Sequence, residues 1–277
     1  MASLDRPLAV VTGASSGIGA DLARELAKDG YDLVLVARRT APMQALADEI
    51  KASGASATVL ACDLSKAGAA QTLIGEIEAQ GLVAIDVLVN AAGLGGNGRF
   101  DQSDPVRLAE MLQVNVVALT ELTRLLLPGM VSRGRGKILL VASTAAFQPG
   151  PQMAVYSASK AYVLSFGEAI TYELRDTGVH VTTLCPGPTA TGFARIAGIE
   201  DVPLFNGPAH VMTAAEVAHL GYQGLKANRS VVVAGRLNAL MAMSGRVAPH
   251  SLSLAIGNYL MSHQPPSSGS TGHTPPS

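Results

Sequence analysis

Leu8-Ala9-Val10-Val11-Thr12-Gly13-Ala14-Ser15-Ser16-Gly17-Ile18-Gly19 is the stretch whose reading decides the fold. Its first four residues are apolar and short, as a buried strand is. They run directly into a glycine-rich turn, and a helix is predicted from Ala20 to about Asp29, where Gly30 stops it. Residues 31–36 then read as a second strand. Strand, glycine turn, helix, strand is a βαβ unit, and such a unit requires a parallel sheet. The glycines let backbone come close to a phosphate at the helix N-terminus, where free N–H groups and the helix dipole favour an anion. Gly13, Ser15, Ser16, Gly17, Ile18 and Gly19 are therefore the expected phosphate cradle, although the spacing Gly-x-x-x-Gly-x-Gly departs from the commoner Gly-x-Gly-x-x-Gly turn.

The residues after strand two choose the nucleotide. An acid there would bind a ribose 2′-hydroxyl. Ala37 is followed instead by Arg38 and Arg39, whose guanidinium forks suit a 2′-phosphate, with Ser15 as a further donor. NADP is thus preferred over NAD, mainly on Arg38; a solvated arginine pair is the alternative. A helix at about 41–53 and a strand at 57–62 follow, closed by Asp63 and Leu64 where an adenine edge would lie. Asp63 also suits a cap for the next helix. Strand four, 86–89, exits through Asn90-Ala91-Ala92-Gly93, small residues that leave room for a cofactor over the strand ends. Asn90 fits a cofactor contact and a structural hydrogen bond equally well. A long helix is expected from about 105 to 133 with Asn115 in its middle, then a buried strand at 137–142 ending at Ser143.

Tyr156 and Lys160 stand four apart on the next predicted helix, so both point to one face. A phenol alone, with a pKa near 10, is a poor proton donor or acceptor at neutrality. A fixed cation beside it would stabilise the phenolate and lower that pKa. Ser143, at a strand's C-terminal end, lies where open α/β sheets bind ligands. Taken alone, Tyr-x-x-x-Lys is more often a bland surface pair; the rest of the chain changes that reading.

The composition agrees. With 277 residues, 48 % hydrophobic and a net charge of −1, the chain suits one large α/β domain over residues 1–235. Charged residues make up only 15 % and no basic stripe appears, which argues against nucleic acid as a partner. No charged-then-apolar leader opens the sequence and no run approaches the roughly 18 apolar residues of a membrane span. Cys62 and Cys185 have neither ligand spacing nor a disulfide framework; a cytoplasmic setting is expected. The six histidines show no ligand spacing, and no metal is expected.

Thr12-Gly-x-x-x-Gly-x-Gly19, Asp63, Asn90-Ala-Ala-Gly93, Asn115, Ser143 and Tyr156-x-x-x-Lys160 occur in one order. In that combination the chain resembles the short-chain dehydrogenase/reductase family over about residues 7–235, and within it the NADP-preferring members. The resemblance implies a Rossmann-like doubly wound parallel sheet of about seven strands with helices on both faces. It implies that Tyr156 is the general acid or base and that Lys160 lowers its pKa and holds the nicotinamide ribose. Ser143 would bind the substrate carbonyl, and Asn115 would hold a water linking Lys160 to solvent. Pro186, Gly187, Thr189 and Thr191 would grip the nicotinamide carboxamide, and the family's oligomer interface implies a homodimer or homotetramer.

The segment from 192 to about 212 is the expected substrate lid; its apolar residues, Phe193 first, suggest a lipophilic carbonyl or alcohol substrate. Thr213 is placed to cap a helix, and residues 230–234 read as the last strand. Residues 236–263 read as short apolar helices broken at Pro249, serving as a flap over the site, a dimer contact or a membrane-surface anchor. The tail 264–277 has a disordered composition. The reading that follows is an NADP(H)-dependent oxidoreductase. Its alternatives are a nucleotide-binding scaffold on the same fold, or a lyase or epimerase that recycles its hydride.

Overall fold

Strand and helix alternate along the chain. A computed structural model describes residues 6–203, 211–235, 237–240 and 250–261. In chain order these form β1 (Leu8–Thr12), α1 (Gly17–Lys28), β2 (Asp32–Ala37), α2 (Thr40–Ala52), β3 (Ala57–Ala61), α3 (Ala69–Ala79) and β4 (Ile85–Asn90). Then come α4 (Pro105–Leu112), α5 (Leu119–Ser132), β5 (Gly136–Val141), α6 (Ala154–Glu173), β6 (Val179–Cys185), β7 (Thr189–Ala190) and α7 (Gly192–Ala197). The last elements are β8 (Met212–Thr213), α8 (Ala214–Lys226), β9 (Val231–Val233) and α9 (His250–Met261). The main sheet has seven strands in the order β3-β2-β1-β4-β5-β6-β9, with each neighbouring pair parallel. This is the doubly wound architecture expected from the sequence, with the order reversing between β1 and β4.

Alternation along the strands fills two cores. Ala9 and Val11 of β1, with Leu33 and Leu35 of β2, face Leu22 and Leu26 of α1, Met43 of α2 and Val217 of α8. Val10, Val34 and Leu88 face the opposite layer, against Leu73 of α3, Leu122 of α5 and Val163 of α6. Both faces of the sheet are covered, which is why its strands read as continuous apolar runs.

The long helix 105–132 is continuous over 28 residues, but its middle, Gln113–Ala118, is π-helical. A π turn inserts a residue and breaks the regular side-chain stacking, and Asn115 lies inside it, fully buried. Contrary to the sequence reading, this helix is long and apolar enough to cross a membrane by length and composition. Its apolar stripe is nevertheless engaged, with Leu122 and Met130 completely buried in the sheet-facing core.

Lys137 of β5 caps the C-terminus of α8. Its ammonium donates to the carbonyls of Leu225 (2.9 Å) and Lys226 (3.2 Å) and to Asn228 Oδ1 (2.8 Å). A helix end leaves such carbonyls short of intrahelical donors; Leu225 also accepts from Asn228 N at 3.3 Å. Lys137→Ala is expected to cost roughly 1–2 kcal/mol, lowering Tm by about 2–8 °C. A thermal melt matching the parent chain would contradict this.

Candidate active site

A crevice of about 430 Å³ opens at the C-terminal ends of the central strands, where the strand order reverses. Its floor is built by a close approach of two chain segments. Thr12 Oγ1 donates to the Val89 carbonyl and accepts from the N–H groups of Ala91 and Ala92, all at 3.1–3.2 Å. That knot holds the exit of β4 against the end of β1. Gly13, at φ +71°, lies so near that a Cβ there would stand 2.8 Å from the Ala91 carbonyl. A Cβ on Gly19 would stand 2.5 Å from the Gly13 carbonyl. The turn therefore closes only with bare backbone, which leaves its N–H groups and the N-terminus of α1 facing the crevice. Ser15, Ser16, Gly17, Ile18, Arg38, Arg39, Asp63, Leu64, Ala91 and Gly93 line the same space.

Both arginines after β2 line the crevice, where the sequence reading placed them. Arg39 Nη2 donates to Ser15 Oγ (3.3 Å) and Ser16 Oγ (3.2 Å), folding over the phosphate turn. Arg38 also lines the crevice, and its charge helps hold the Asp63 carboxyl down against the burial that raises it; Ser65 contributes more to that lowering. Asp63 Oδ1 accepts from the Ser65 N–H and hydroxyl, so it forms an Asx-type turn leading toward α3 as well as lining the crevice.

At the other end stand Ser143, Tyr156 and Lys160. Lys160 is buried and donates to the Val141 carbonyl at 2.8 Å, with its Nζ 5.8 Å from the centre of the Tyr156 ring. Burial pushes the Tyr156 phenol up to about 12, only partly opposed by the Ser143 hydroxyl beside it. Burial pushes Lys160 down to about 8. The expected lowering of Tyr156 by Lys160 is thus not what this geometry produces: the ammonium spends its hydrogen bond on β5, and desolvation dominates. Ser143 Oγ accepts from Ala145 N (3.1 Å) and so starts the short 3₁₀ turn Thr144–Phe147.

All the residues singled out from the sequence line the crevice except Asn90 and Asn115. Asn90 points into the helical layer, where its Nδ2 donates to Thr123 Oγ1 (3.1 Å) and the Leu119 carbonyl (3.5 Å), tying β4 to α5. Of its two readings, the structural one describes its side chain. Asn115 braces instead of lining. Its Oδ1 accepts from Leu94 N (2.8 Å), and its Nδ2 donates to the Leu94 carbonyl (2.9 Å) and Ser159 Oγ (3.0 Å). Both amide hydrogens are therefore occupied by protein, which leaves little side-chain capacity for the expected water.

Residues 7–198 match the family model described as short chain dehydrogenase. The chain belongs to the short-chain dehydrogenase family. It is an oxidoreductase of that family, with 32 % identity over 259 residues to a ketoacyl reductase of a Nostoc strain, covering 91 % of this chain and 88 % of the relative. A solved short-chain dehydrogenase of Sphingobium yanoikuyae in complex with NADPH superimposes with a TM-score of 0.76 at 32 % identity, covering 87 % of this chain and 94 % of that one. A family member from Burkholderia phymatum in complex with NAD gives a TM-score of 0.76 at 26 % identity, covering 88 % and 94 %. The fold is thus shared by relatives of both cofactor types.

In this short-chain dehydrogenase the substrate end of the crevice is closed by α7, within the expected lid, and by α9. Thr191 Oγ1 accepts from Phe193 N (3.2 Å), starting α7 directly over the glycine turn. Phe193 then packs on Tyr156, with ring centroids 5.5 Å apart. Gly95 makes this possible, because a Cβ there would stand 2.3 Å from the Phe193 ring. Residues 204–210 of the expected lid lie outside the described residues, as do Pro249 and the tail 264–277. Helix α9 lies across the crevice: Asn97 Nδ2 donates to the Met261 carbonyl (3.3 Å), Gln152 Nε2 donates to Asn258 Oδ1 (3.3 Å), and Gly257, Leu260 and Met261 line the opening. Met153 and Asn238 also line it and were not anticipated. Gly187 makes room for Asn238, since a Cβ there would stand 2.3 Å from the Asn238 amide. Of the three roles read for residues 236–263, the described part, Asn238 and α9, takes the flap over the crevice.

Proposed function

We propose that this chain is an NADP(H)-dependent carbonyl reductase acting on a largely apolar small molecule. One observation carries the reading: a single crevice has Ser15, Arg38 and Arg39 at one end and Ser143, Tyr156 and Lys160 at the other. The glycine turn and the two arginines fit an anionic, 2′-phosphorylated dinucleotide. When bound, that cofactor supplies the hydride.

The chain's own residues do the rest. The N–H groups at the start of α1 would hold the pyrophosphate, and Ser15 with Arg38 and Arg39 would hold the 2′-phosphate. Pro186, Gly187, Thr189 and Thr191 face the nicotinamide end. Ser143 donates a hydrogen bond to the substrate carbonyl and fixes its orientation. Tyr156 keeps its proton at neutral pH, because burial holds it there, and delivers that proton to the carbonyl oxygen as reduction proceeds. Turning the Lys160 ammonium from the Val141 carbonyl toward the phenol would lower the Tyr156 pKa, which the reverse reaction needs. Asn115 acts at one remove, fixing the Leu94 backbone and Ser159 around Lys160. The apolar wall of Phe193, Ile196, Met153 and Leu260 favours a lipophilic substrate, and the activity named for the Nostoc relative points to oxoacyl compounds.

Exposed Leu112, Val117, Leu125 and Tyr162 on the 105–132 helix and α6 support a homodimer or homotetramer through that face. The catalytic test is loss of reduced-cofactor absorbance with aldehydes, ketones, steroids and 3-oxoacyl thioesters. Net NADPH oxidation is expected. Tight NADPH binding without turnover would point to a scaffold, and substrate conversion with no net cofactor change to a lyase or epimerase.

A further inference from the structure

A second cavity, of about 440 Å³, lies on the far side of the lid. It is bounded by the loop 94–98, the start of α4, the loop before α6 and helix α7. Leu94, Met153, Tyr156 and Ile196 line both this cavity and the nucleotide crevice. The two spaces therefore abut at Tyr156, the residue that meets the reacting carbonyl, with the Phe193–Gly95 contact beside the junction.

The walls differ in chemistry. Near Tyr156 they are apolar, with Met111 and Ala197 adding to the shared residues. Farther out stand Arg107 of α4 and Arg195 of α7, both exposed. Neither has a carboxylate partner among the described residues, whereas Arg24, Arg99 and Arg135 each pair with an acid. The acid lining the cavity, Asp104, accepts from Val106 N at 2.9 Å as the cap of α4. The cavity is apolar beside Tyr156, carries the polar side chains of Asn97, Gln102, Ser103 and Gln152, and has two cations and one acid already engaged by backbone.

We infer that this cavity takes the distal part of the substrate, and that Arg107 and Arg195 bind an anionic group there. The substrate class is then an amphipathic carbonyl compound: a carbonyl at Tyr156, an apolar spacer, and a carboxylate or phosphate at the far end. The inference deepens the carbonyl-reductase reading and rests on it for the carbonyl. A guanidinium holds either anion by charge-assisted, two-pronged hydrogen bonds, so the chemistry leaves the anion's source to experiment.

Two matched pairs test it with the full chain and NADPH: a medium-chain keto acid against its methyl ester, and a 3-oxoacyl phosphopantetheine against the corresponding pantetheine. In the doubly substituted R107Q/R195Q chain, KM for one anionic partner should rise roughly tenfold. The kcat and the KM of its neutral counterpart should stay within about twofold, and the pair that responds identifies the anion. Equal changes for charged and neutral partners, or none, would overturn the inference. Calorimetry with decanoate and methyl decanoate reads the cavity without turnover. If no carbonyl compound is reduced, the reductase reading fails by itself. In that case, decanoate binding that is weakened in R107Q/R195Q still supports the anion site, and binding indifferent to the two arginines removes it.

Discussion

Tyr156→Phe should lower kcat for carbonyl reduction by about 10²–10⁴-fold, the range a positioned general acid supplies. NADPH affinity, measured by fluorescence titration, should stay within about threefold. The substitution removes one oxygen and keeps the ring that packs against Phe193 at 5.5 Å, so the wall of the crevice survives while its proton donor is lost. Equal loss of turnover and cofactor binding would contradict an acid role. The pH dependence gives an independent check with a definite sign. Burial pushes the Lys160 ammonium down to about 8, against 10.5 for the unperturbed group. Its charge, which supports proton delivery by Tyr156, is present below about 8 and lost above it, so kcat/KM for reduction should fall as pH rises through that value. Stability should move the other way. Between about 8 and 10.5 the unfolded chain holds the extra proton, so this group makes the cofactor-free fold more stable as pH rises across that window. A reduction rate that climbs through pH 8 would show that Lys160 is not the titrating support.

Arg38→Asp combined with Arg39→Asp should reverse cofactor preference, with NADPH losing on the order of a hundredfold in kcat/KM relative to NADH. Each lost charge-assisted hydrogen bond to a phosphate is worth about 1.5–3 kcal/mol, and the new carboxylates repel the 2′-phosphate while suiting a 2′-hydroxyl. The single variants carry the structural information. Arg39 already bonds Ser15 and Ser16, whereas Arg38 neighbours Asp63. Arg39→Asp alone should therefore also loosen the phosphate turn and weaken both cofactors. Arg38→Asp should act mainly on the NADPH-to-NADH ratio. An unchanged ratio in the double variant would remove the 2′-phosphate assignment.

The amino-acid sequence by itself determined the fold, because the information is local and repeated. An apolar run, glycine turn and amphipathic helix at 8–28 already require a parallel βαβ unit, and each later unit repeats the signal. It also determined most of the site, since parallel strands deliver their C-terminal ends to one edge and the residues there, from Gly13 to Ser143, follow from strand boundaries alone. Tertiary structure decided what depends on direction and desolvation. Asn90 and Asn115 were visible as residues, but only packing turned one into α5 and set the other between Leu94 and Ser159. The i,i+4 spacing put Lys160 near Tyr156, yet burial of both, and the bond from Lys160 to Val141, reversed the expected electrostatics. The sequence left residues 236–263 with three readings; contacts with Gly187, Asn97 and Gln152, all distant in the chain, are what set Asn238 and α9 against the crevice.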